Sequence, residues 1–137
     1  MMAHEIKVSK KVDRSQVISF GLFTQNGVIN SFMVMPRYGI NLENYFHHVG
    51  KEFSQNTVIA IGRSLLSSLE SIHNAGYIFN DLKPDNILFD YPAKIPKFFY
   101  AGNALKYSKL HIIDFGFAQK YIDGNKYHLP QTDIDKF

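Results

Sequence analysis

Three patterns along this sequence predict an α+β fold. Two runs rich in β-branched and aromatic residues are joined at Asn26-Gly27, a dipeptide that strongly favours a hairpin turn. A helical pattern follows, in which apolar residues recur at spacings of three and four. Two short strand-like runs then lie beside turns that carry aspartate. The chain has 137 residues, 45% of them hydrophobic, which suits one packed domain or a piece of one.

The N-terminal part of the chain is predicted to form a helix and then the hairpin. Residues 4–12, "HEIKVSKKV", place apolar side chains at helical offsets, so we expect the end of a helix there. The two hairpin strands are predicted at residues 17–23 and 29–36. Pro36 is expected to end the second strand because proline has no N–H to donate to a strand ladder.

Two helices are predicted next. Residues 41–49 form a short helix for which Asn41 is a suitable N-cap, since its side chain can accept from a free backbone N–H. Ser54 is the expected N-cap of a longer helix, and Gly76 supplies the left-handed residue that commonly follows a helix end. The apolar stripe of this longer helix is predicted at spacings of three and four and consists of Val58, Ile61, Leu65, Leu69 and Ile72.

The C-terminal part of the chain is predicted to hold two strands separated by a long connection. The strands are expected at residues 87–89 and 109–114. Residues 90–108 between them contain two prolines and a glycine and are predicted to form a long hairpin excursion, not an independent domain.

A crowded polar loop, "NDLKPDN", precedes the first of these strands, and a second acidic turn, "DFG", follows the other. Asp81 is a carboxylate that could orient a hydroxyl group or accept its proton, and Lys83 is a point charge suited to a phosphoryl oxygen. Asn86 and Asp114 offer the oxygen ligands that Mg²⁺ prefers. A base, a cation and two metal ligands are the groups that phosphoryl transfer requires, because its catalysis is mainly positioning and charge neutralisation.

These two segments in this order resemble the catalytic loop and the metal-binding turn of protein kinases, whose pattern is Asp, four residues, Asn, and later Asp-Phe-Gly. The segments "IDFGFAQKYID" and "HLP", together with the hinge-like "FMVMPRYGINLENYF", are similar to those of the casein kinase I group. The resemblance covers roughly residues 4–129.

The resemblance implies a protein-kinase-like α+β fold made of the end of the N-terminal lobe and the first half of the C-terminal lobe. Residues 1–36 would be a remnant of the N-terminal lobe, and residues 37–137 would supply the hinge, helices, catalytic loop and metal-binding turn. It also implies a Ser/Thr protein kinase that uses ATP and Mg²⁺ and has a protein as its substrate.

The resemblance further assigns roles to individual residues. Asp81 matches the catalytic base and Lys83 matches the contact to the γ-phosphate, while Asn86 and Asp114 match the Mg²⁺ ligands. The remaining matches concern the nucleotide. They are Met35 as gatekeeper, Pro36 to Tyr38 as the adenine hinge, and Glu5 as the carboxylate that pairs with the ATP-binding lysine.

Three departures from the family pattern bear on function. Asn80 stands where most kinases have arginine, so we expect no activation through a phosphate bound by that residue. No glycine-rich "GxGxxG" segment or strand lysine precedes Glu5, and no peptide-binding segment follows Phe137. The sequence is therefore expected to be truncated, as the middle of a kinase domain would be.

Two other functions remain open at this stage. A catalytically inactive pseudokinase, or a kinase-derived interaction fragment, would account for the missing glycine-rich segment and lysine. A small-molecule phosphotransferase shares the Asp-x₄-Asn pattern and the later aspartate, but such enzymes usually lack lysine at the position of Lys83.

Composition limits the partners and the compartment. The net charge is +3 and the pI is near 9.0, with no run of Lys or Arg long enough to indicate nucleic-acid binding. There is no cysteine, which excludes disulfides. The N-terminus lacks the apolar core of a signal peptide, and no apolar run approaches the ~18 residues of a membrane span. We therefore expect an intracellular protein, cytoplasmic or nuclear, with neither nucleic acid nor membrane as partner; the sequence does not set its oligomeric state.

Overall fold

A computed structural model of the chain describes residues 2–91 and 109–130. Within these ranges the helices, in chain order, are α1 (Met2–Val12), α2 (Leu42–His48) and α3 (Gln55–Asn74). The strands within the same ranges are β1 (Ser19–Gln25), β2 (Val28–Val34), β3 (Tyr77–Ile78), β4 (Ile87–Phe89), β5 (Leu110–Ile112) and β6 (Gln119–Lys120). The strands pair antiparallel as β1–β2, β3–β6 and β4–β5.

The first two strands form the predicted hairpin. Asn26 and Gly27 connect them with positive φ angles of 52° and 75°, which a two-residue hairpin turn requires and which Asn and Gly tolerate best. Both strands are shifted from their predicted bounds, because pairing begins at Ser19 opposite Val34 and β2 ends before Pro36 is reached. No residue of β1 or β2 is buried.

Helix α3 begins and ends as predicted. The Ser54 hydroxyl accepts from the Thr57 N–H at 3.2 Å and caps the N-terminus. Gly76 follows the C-terminus with φ +88°, and its N–H donates to the His73 carbonyl. The positive φ favours glycine there, and the side chain of Ile122 lies only 3.1 Å from where a β-carbon on Gly76 would be, so a larger residue would also have to displace it slightly.

The buried face of α3 differs from the predicted stripe at one position. Ile61 and Ile72 are buried, and Leu65 and Leu69 are packed against the core, as expected. The prediction for Val58 is wrong, since that side chain is 54% exposed. Thr57 is buried instead, because it lies one turn before Ile61 on the same face, whereas Val58 is rotated away by about 100°.

Two clusters of buried side chains hold the polar loop from both ends. One cluster consists of Leu42, Tyr45, Ile61, Ile87, Phe89 and Leu110. The other consists of Val8, Ile72, Tyr77, Phe79, Ile112, Phe115 and Ala118. The loop that starts after Phe79 and ends before Ile87 therefore leaves one cluster and enters the other, so both of its ends are anchored by burial of apolar surface.

The segment that follows β2 lies along the free edge of β4. The Gly39 N–H donates to the Phe89 carbonyl at 2.8 Å, and the Phe89 N–H donates to the Ile40 carbonyl at 3.1 Å. A β-carbon on Gly39 would lie only 2.6 Å from the Asp90 carbonyl oxygen. This backbone-to-backbone approach therefore requires glycine.

The second predicted strand pair is present, but β5 is shorter than expected at both ends, since it covers Leu110–Ile112 within the predicted 109–114. Most of the predicted excursion, residues 92–108, lies outside the described residues. Among the residues that the structure describes, no helix is both long enough and apolar enough to cross a membrane.

The close approach of Gly39 to β4 yields a stability prediction. We expect Gly39→Ala to destabilise the chain by about 1–3 kcal/mol, because the added methyl group meets a backbone oxygen that cannot move aside. The matched control is Gly62→Ala within α3, where a β-carbon would meet nothing within 4 Å. That change should stabilise the chain by roughly 0.5–1 kcal/mol. Thermal unfolding measures both, and shifts of the same sign would contradict the steric argument.

Candidate phosphoryl-transfer site

The loop between β3 and β4 brings three of the predicted site residues into direct contact. One carboxylate oxygen of Asp81 accepts from Lys83 Nζ at 2.8 Å and from Asn86 Nδ2 at 2.9 Å. Asn86 Nδ2 also donates to the Asp81 backbone carbonyl at 3.1 Å. The other carboxylate oxygen of Asp81 has no hydrogen bond among the described residues, so it is available to a hydroxyl group from outside.

The charges in this loop favour the ionised forms of both partners. The hydrogen bond from Lys83 is the main cause that lowers the pKa of Asp81 below its ordinary value, and the bond from Asn86 adds to it against the opposing effect of burial. The same contact raises the pKa of Lys83. Both groups are therefore charged at neutral pH.

Asn86 is held so that its amide oxygen stays available. The residue is buried and closes a 3₁₀ turn that begins at Pro84. Its side-chain hydrogen bonds to Asp81 both use Nδ2, and no bond to its amide oxygen is recorded in the described residues. Its backbone carbonyl accepts from the Ile113 N–H at 3.0 Å, which places the next residue, Asp114, beside the loop.

Asp114 starts the second acidic turn in an unusual backbone conformation. Its φ and ψ are 65° and 74°, in the left-handed region, where aspartate is among the better-tolerated non-glycine residues. One carboxylate oxygen accepts from the Gly116 N–H at 3.3 Å. Phe115, the residue between them, is buried and packs edge-to-face against Phe79 with ring centroids 5.4 Å apart. This packing fixes the turn that presents the Asp114 carboxylate.

The oxygen donors of Asn86 and Asp114 have the chemistry that a hard divalent cation prefers. The amide oxygen of Asn86 and the free carboxylate oxygen of Asp114 are neutral and anionic donors of the kind that Mg²⁺ binds. The described part of the chain contains no group of three or more His, Asp or Glu side chains suited to a metal ion. A cation held by two protein ligands would therefore complete its shell with water or phosphate oxygens, as Mg²⁺ usually does.

Glu5 of α1 lies near the Asp114 carboxylate. Partial burial is the main cause that raises its pKa above the ordinary value of 4.5, and the negative charge of Asp114 raises it further, against a smaller lowering by the chain's amino terminus. No Lys, Arg or His side chain forms an ion pair with Glu5 in the described ranges. The neighbouring His4 donates from Nε2 to the Ala118 carbonyl at 2.7 Å, which joins α1 to the acidic turn.

The predicted adenine-binding residues lie in the extended segment between β2 and α2. Met35, Pro36 and Tyr38 are all half-buried. The Tyr38 ring packs on His111 of β5 with centroids 4.7 Å apart, and burial raises the pKa of its hydroxyl. No hydrogen bond or ring contact joins Met35 or Pro36 to the loop of Asp81 within the described residues. The segment is connected to that loop through β4 instead.

Two contacts near the site were not predicted from the sequence. Asn80, considered only as an absent cation, donates from Nδ2 to the Phe117 carbonyl at 3.2 Å. Gln16 is buried and donates from Nε2 to the Ile112 carbonyl at 3.2 Å, just before the acidic turn. The sequence carries a weak signal for Asn80, since asparagine is favoured at left-handed positions, and none for Gln16.

Comparison with known proteins is consistent with this arrangement. The family model described as protein kinase domain matches residues 1–134. The chain therefore belongs to the protein kinase domain family, and the α+β, protein-kinase-like fold expected from the sequence is confirmed.

Within that family the chain is similar to casein kinase I homologs, as its sequence motifs predicted. It is 32% identical over 115 residues to casein kinase I homolog 3 of Schizosaccharomyces pombe, which covers 83% of this chain and 22% of that protein. It is 33% identical over 112 residues to casein kinase I homolog 2 of Saccharomyces cerevisiae, covering 81% of this chain and 18% of that protein. The chain spans about a fifth of the length of these curated relatives.

The environment of Glu5 predicts a pH-dependent effect on stability. A carboxyl group with a raised pKa in the folded chain binds its proton more tightly there than in the unfolded chain. Its contribution to folding is therefore full below its unfolded pKa and is lost as the pH rises through the folded-state pKa. We expect Glu5→Gln to raise the melting temperature at pH 7, and the difference from the unsubstituted chain should disappear near pH 4.

The control for this prediction is Glu70→Gln, because Glu70 is an exposed glutamate on α3. Thermal unfolding followed by circular dichroism at both pH values should show no change for this variant. If Glu5→Gln instead lowers the melting temperature at pH 7, a cation pairs with Glu5 and the description of an unpaired carboxylate is wrong.

Proposed function

We propose that this chain carries the catalytic loop and metal-binding turn of a Ser/Thr protein kinase of casein kinase I type. The reaction would transfer the γ-phosphate of ATP to a Ser or Thr hydroxyl of a protein substrate. The observation that carries the proposal is the contact of the Asp81 carboxylate with both Lys83 and Asn86, in a loop bonded through its backbone to the residue before Asp114. Family membership and the similarity to casein kinase I homologs support the same conclusion.

In this proposal Asp81 orients the substrate hydroxyl. Its unbonded carboxylate oxygen accepts the hydroxyl hydrogen and directs the oxygen lone pair at the γ-phosphorus. The new O–P bond forms as the bond from phosphorus to the ADP oxygen breaks, and the hydroxyl proton passes to Asp81. A lowered pKa makes Asp81 a weak base, so its main contribution is positioning and its proton transfer comes late.

Lys83, Asn86 and Asp114 would handle the phosphate charge. Lys83 Nζ lies 2.8 Å from Asp81 and would also donate to a γ-phosphate oxygen, which places hydroxyl and phosphate side by side. Asn86 and Asp114 would hold Mg²⁺ through the oxygen atoms that the loop leaves unbonded. Mg²⁺, when bound, supplies positive charge that neutralises the phosphate oxygens.

The nucleotide base would bind beside the segment after β2. In this proposal Met35 is the gatekeeper, and the Pro36 carbonyl together with the Tyr38 backbone N–H and carbonyl meets the adenine edge. Glu5 would pair with an ATP-binding lysine. Its unpaired carboxylate close to Asp114 is consistent with a need for such a cation.

A non-catalytic role is the second candidate, favoured by the same observation on Glu5. In that role Glu5 would have no lysine partner, and one clamp for the α- and β-phosphates would be missing. Such a chain would act as a pseudokinase or as an interaction module. The two functions differ in whether phosphate is transferred.

Phosphate transfer tests the role of Asp81. With radiolabelled ATP, Mg²⁺ and a casein-like substrate, we expect Asp81→Asn to lower the transfer rate by roughly 10²–10⁴-fold, because asparagine cannot take the proton. Asp85→Asn is the matched control, an exposed aspartate in the same loop that contacts neither Lys83 nor Asn86 through any recorded hydrogen bond, and it should leave the rate within about twofold. Equal rates in both variants would rule out Asp81 as the base.

Nucleotide binding tests the metal ligands separately from transfer. At ATP about 100 times above its Kd, with Mg²⁺ present, binding should stabilise the folded chain by about 2.7 kcal/mol and raise its melting temperature by several degrees. Asp114→Asn should remove most of this rise, because it removes the anionic metal ligand while keeping a side chain that tolerates the left-handed turn. Asp85→Asn should keep the rise. A folded chain with no Mg²⁺-dependent stabilisation and no transfer favours the interaction role.

A further inference from the structure

Asn80, immediately before Asp81, has a backbone conformation that few residue types adopt. Its φ is 65°, in the left-handed region, where asparagine is several-fold enriched over most other non-glycine residues. Asp114, which starts the second acidic turn, has the same φ. Each of the two acidic segments therefore turns at a left-handed residue, and the identity of that residue is restricted at both places.

The Asn80 side chain spans the gap between these two segments. Its Nδ2 donates to the Phe117 carbonyl at 3.2 Å, across 37 positions in sequence. Among the described residues, no other side-chain hydrogen bond connects residues 79–86 with residues 114–118. The backbone bond from Ile113 to Asn86 fixes the near side of the acidic turn, and Asn80 fixes its far side.

The surroundings of the Asn80–Phe117 hydrogen bond show why the C-terminal end of the acidic turn needs a hydrogen bond to hold it. Phe115 is buried against Phe79, but the Phe117 side chain is 54% exposed, so packing does not hold it. The next carbonyl along, that of Ala118, accepts from His4 of α1. Two consecutive carbonyls are thus held by side-chain donors from two different elements, the loop and α1.

We propose that Asn80 is a positioning residue that acts through the Phe117 carbonyl to hold the acidic turn, and with it the Asp114 carboxylate, in register with Asp81. Its consequence for phosphate transfer rests on the function proposed above. Because the donor is an uncharged amide, this hydrogen bond holds the turn without a phosphate group on the protein or any other anion. The left-handed backbone of Asn80 is what aims this donor away from its own loop and towards Phe117.

Three substitutions separate the amide donor from the backbone conformation. Asn80→Asp keeps the size and the tolerance for positive φ but puts an acceptor where Phe117 needs a donor. Asn80→Gly keeps the positive φ and removes the side chain without adding charge. Asn80→His restores N–H donors on a residue type that is also enriched at positive φ.

Amide hydrogen exchange of the full chain without nucleotide is the first measurement, because it does not depend on activity. Loss of one hydrogen bond should speed exchange at residues 115–118 by roughly 5–10-fold in both Asn80→Asp and Asn80→Gly. The β1–β2 hairpin should exchange as before. Unchanged exchange at 115–118 in both variants overturns the proposal, as does a uniform increase along the whole chain.

The second measurement is the split between kcat and KM. In both variants we expect kcat for casein-like substrate to fall roughly tenfold and the Mg²⁺ requirement to rise, with KM for the protein substrate unchanged. Asn80→His should recover part of kcat. A general loss of stability would lower the melting temperature and the folded fraction, and a kcat that falls only in proportion to that fraction overturns a positioning role. If the unsubstituted chain transfers no phosphate while the exchange effect is present, the proposed kinase function fails and the hold on the turn is supported.

Discussion

The hydrogen bond from the Ile113 N–H to the Asn86 carbonyl joins two turns that lie on opposite sides of a long connection. It extends the β4–β5 ladder by one step, and every side chain proposed for phosphate transfer is attached close to one of its ends. The ladder itself has three residues on each strand, too few to be stable alone. Its stability comes from burial, since Phe89 and Leu110 are completely shielded from solvent. The polar site thus depends on two apolar side chains at the other end of the ladder.

The charges around the site are unevenly compensated. On the loop side, Lys83 and Asn86 surround one carboxylate oxygen of Asp81 and lower its pKa. On the helix side, partial burial and the nearby charge of Asp114 raise the pKa of Glu5, and no Lys, Arg or His of the described residues forms an ion pair with it. Negative charge is therefore less compensated beside α1 than beside Lys83. A divalent cation held by Asp114, as proposed, would offset the negative charge on that side.

Much of the fold could be predicted from the sequence wherever short-range chemistry decides the structure. Asn26-Gly27, Ser54 and Gly76 set a turn, a helix start and a helix end without help from distant residues. Val58 shows the limit, because an apolar repeat gives a period but does not tell which neighbouring position faces the core. The strand bounds shifted for a similar reason, since apolar runs continue beyond the paired residues.

The candidate site divides in the same way. Asp81, Lys83 and Asn86 lie close together in sequence, so one tight loop was enough to predict their meeting. The contacts of Asn80 with Phe117, of His4 with Ala118 and of Gly39 with β4 depend on distances set by the packed clusters. A short sequence pattern carries no information about distances between residues that are far apart along the chain. The effect of the Asp114 charge on Glu5 also depends on the packing of α1 near the acidic turn, which no local sequence pattern indicates.

The exposed β1–β2 hairpin has a consequence for how the molecule moves. None of its strand residues is buried, whereas the residues around β4 and β5 are closely packed, so the hairpin has far less contact energy holding it closed. Its amides should open in local excursions that leave the rest of the described residues intact. Met35 lies at the base of this hairpin. An adenine bound as proposed would then rest beside the least buried strand pair of the described residues, and its residence time would depend on how often that pair opens.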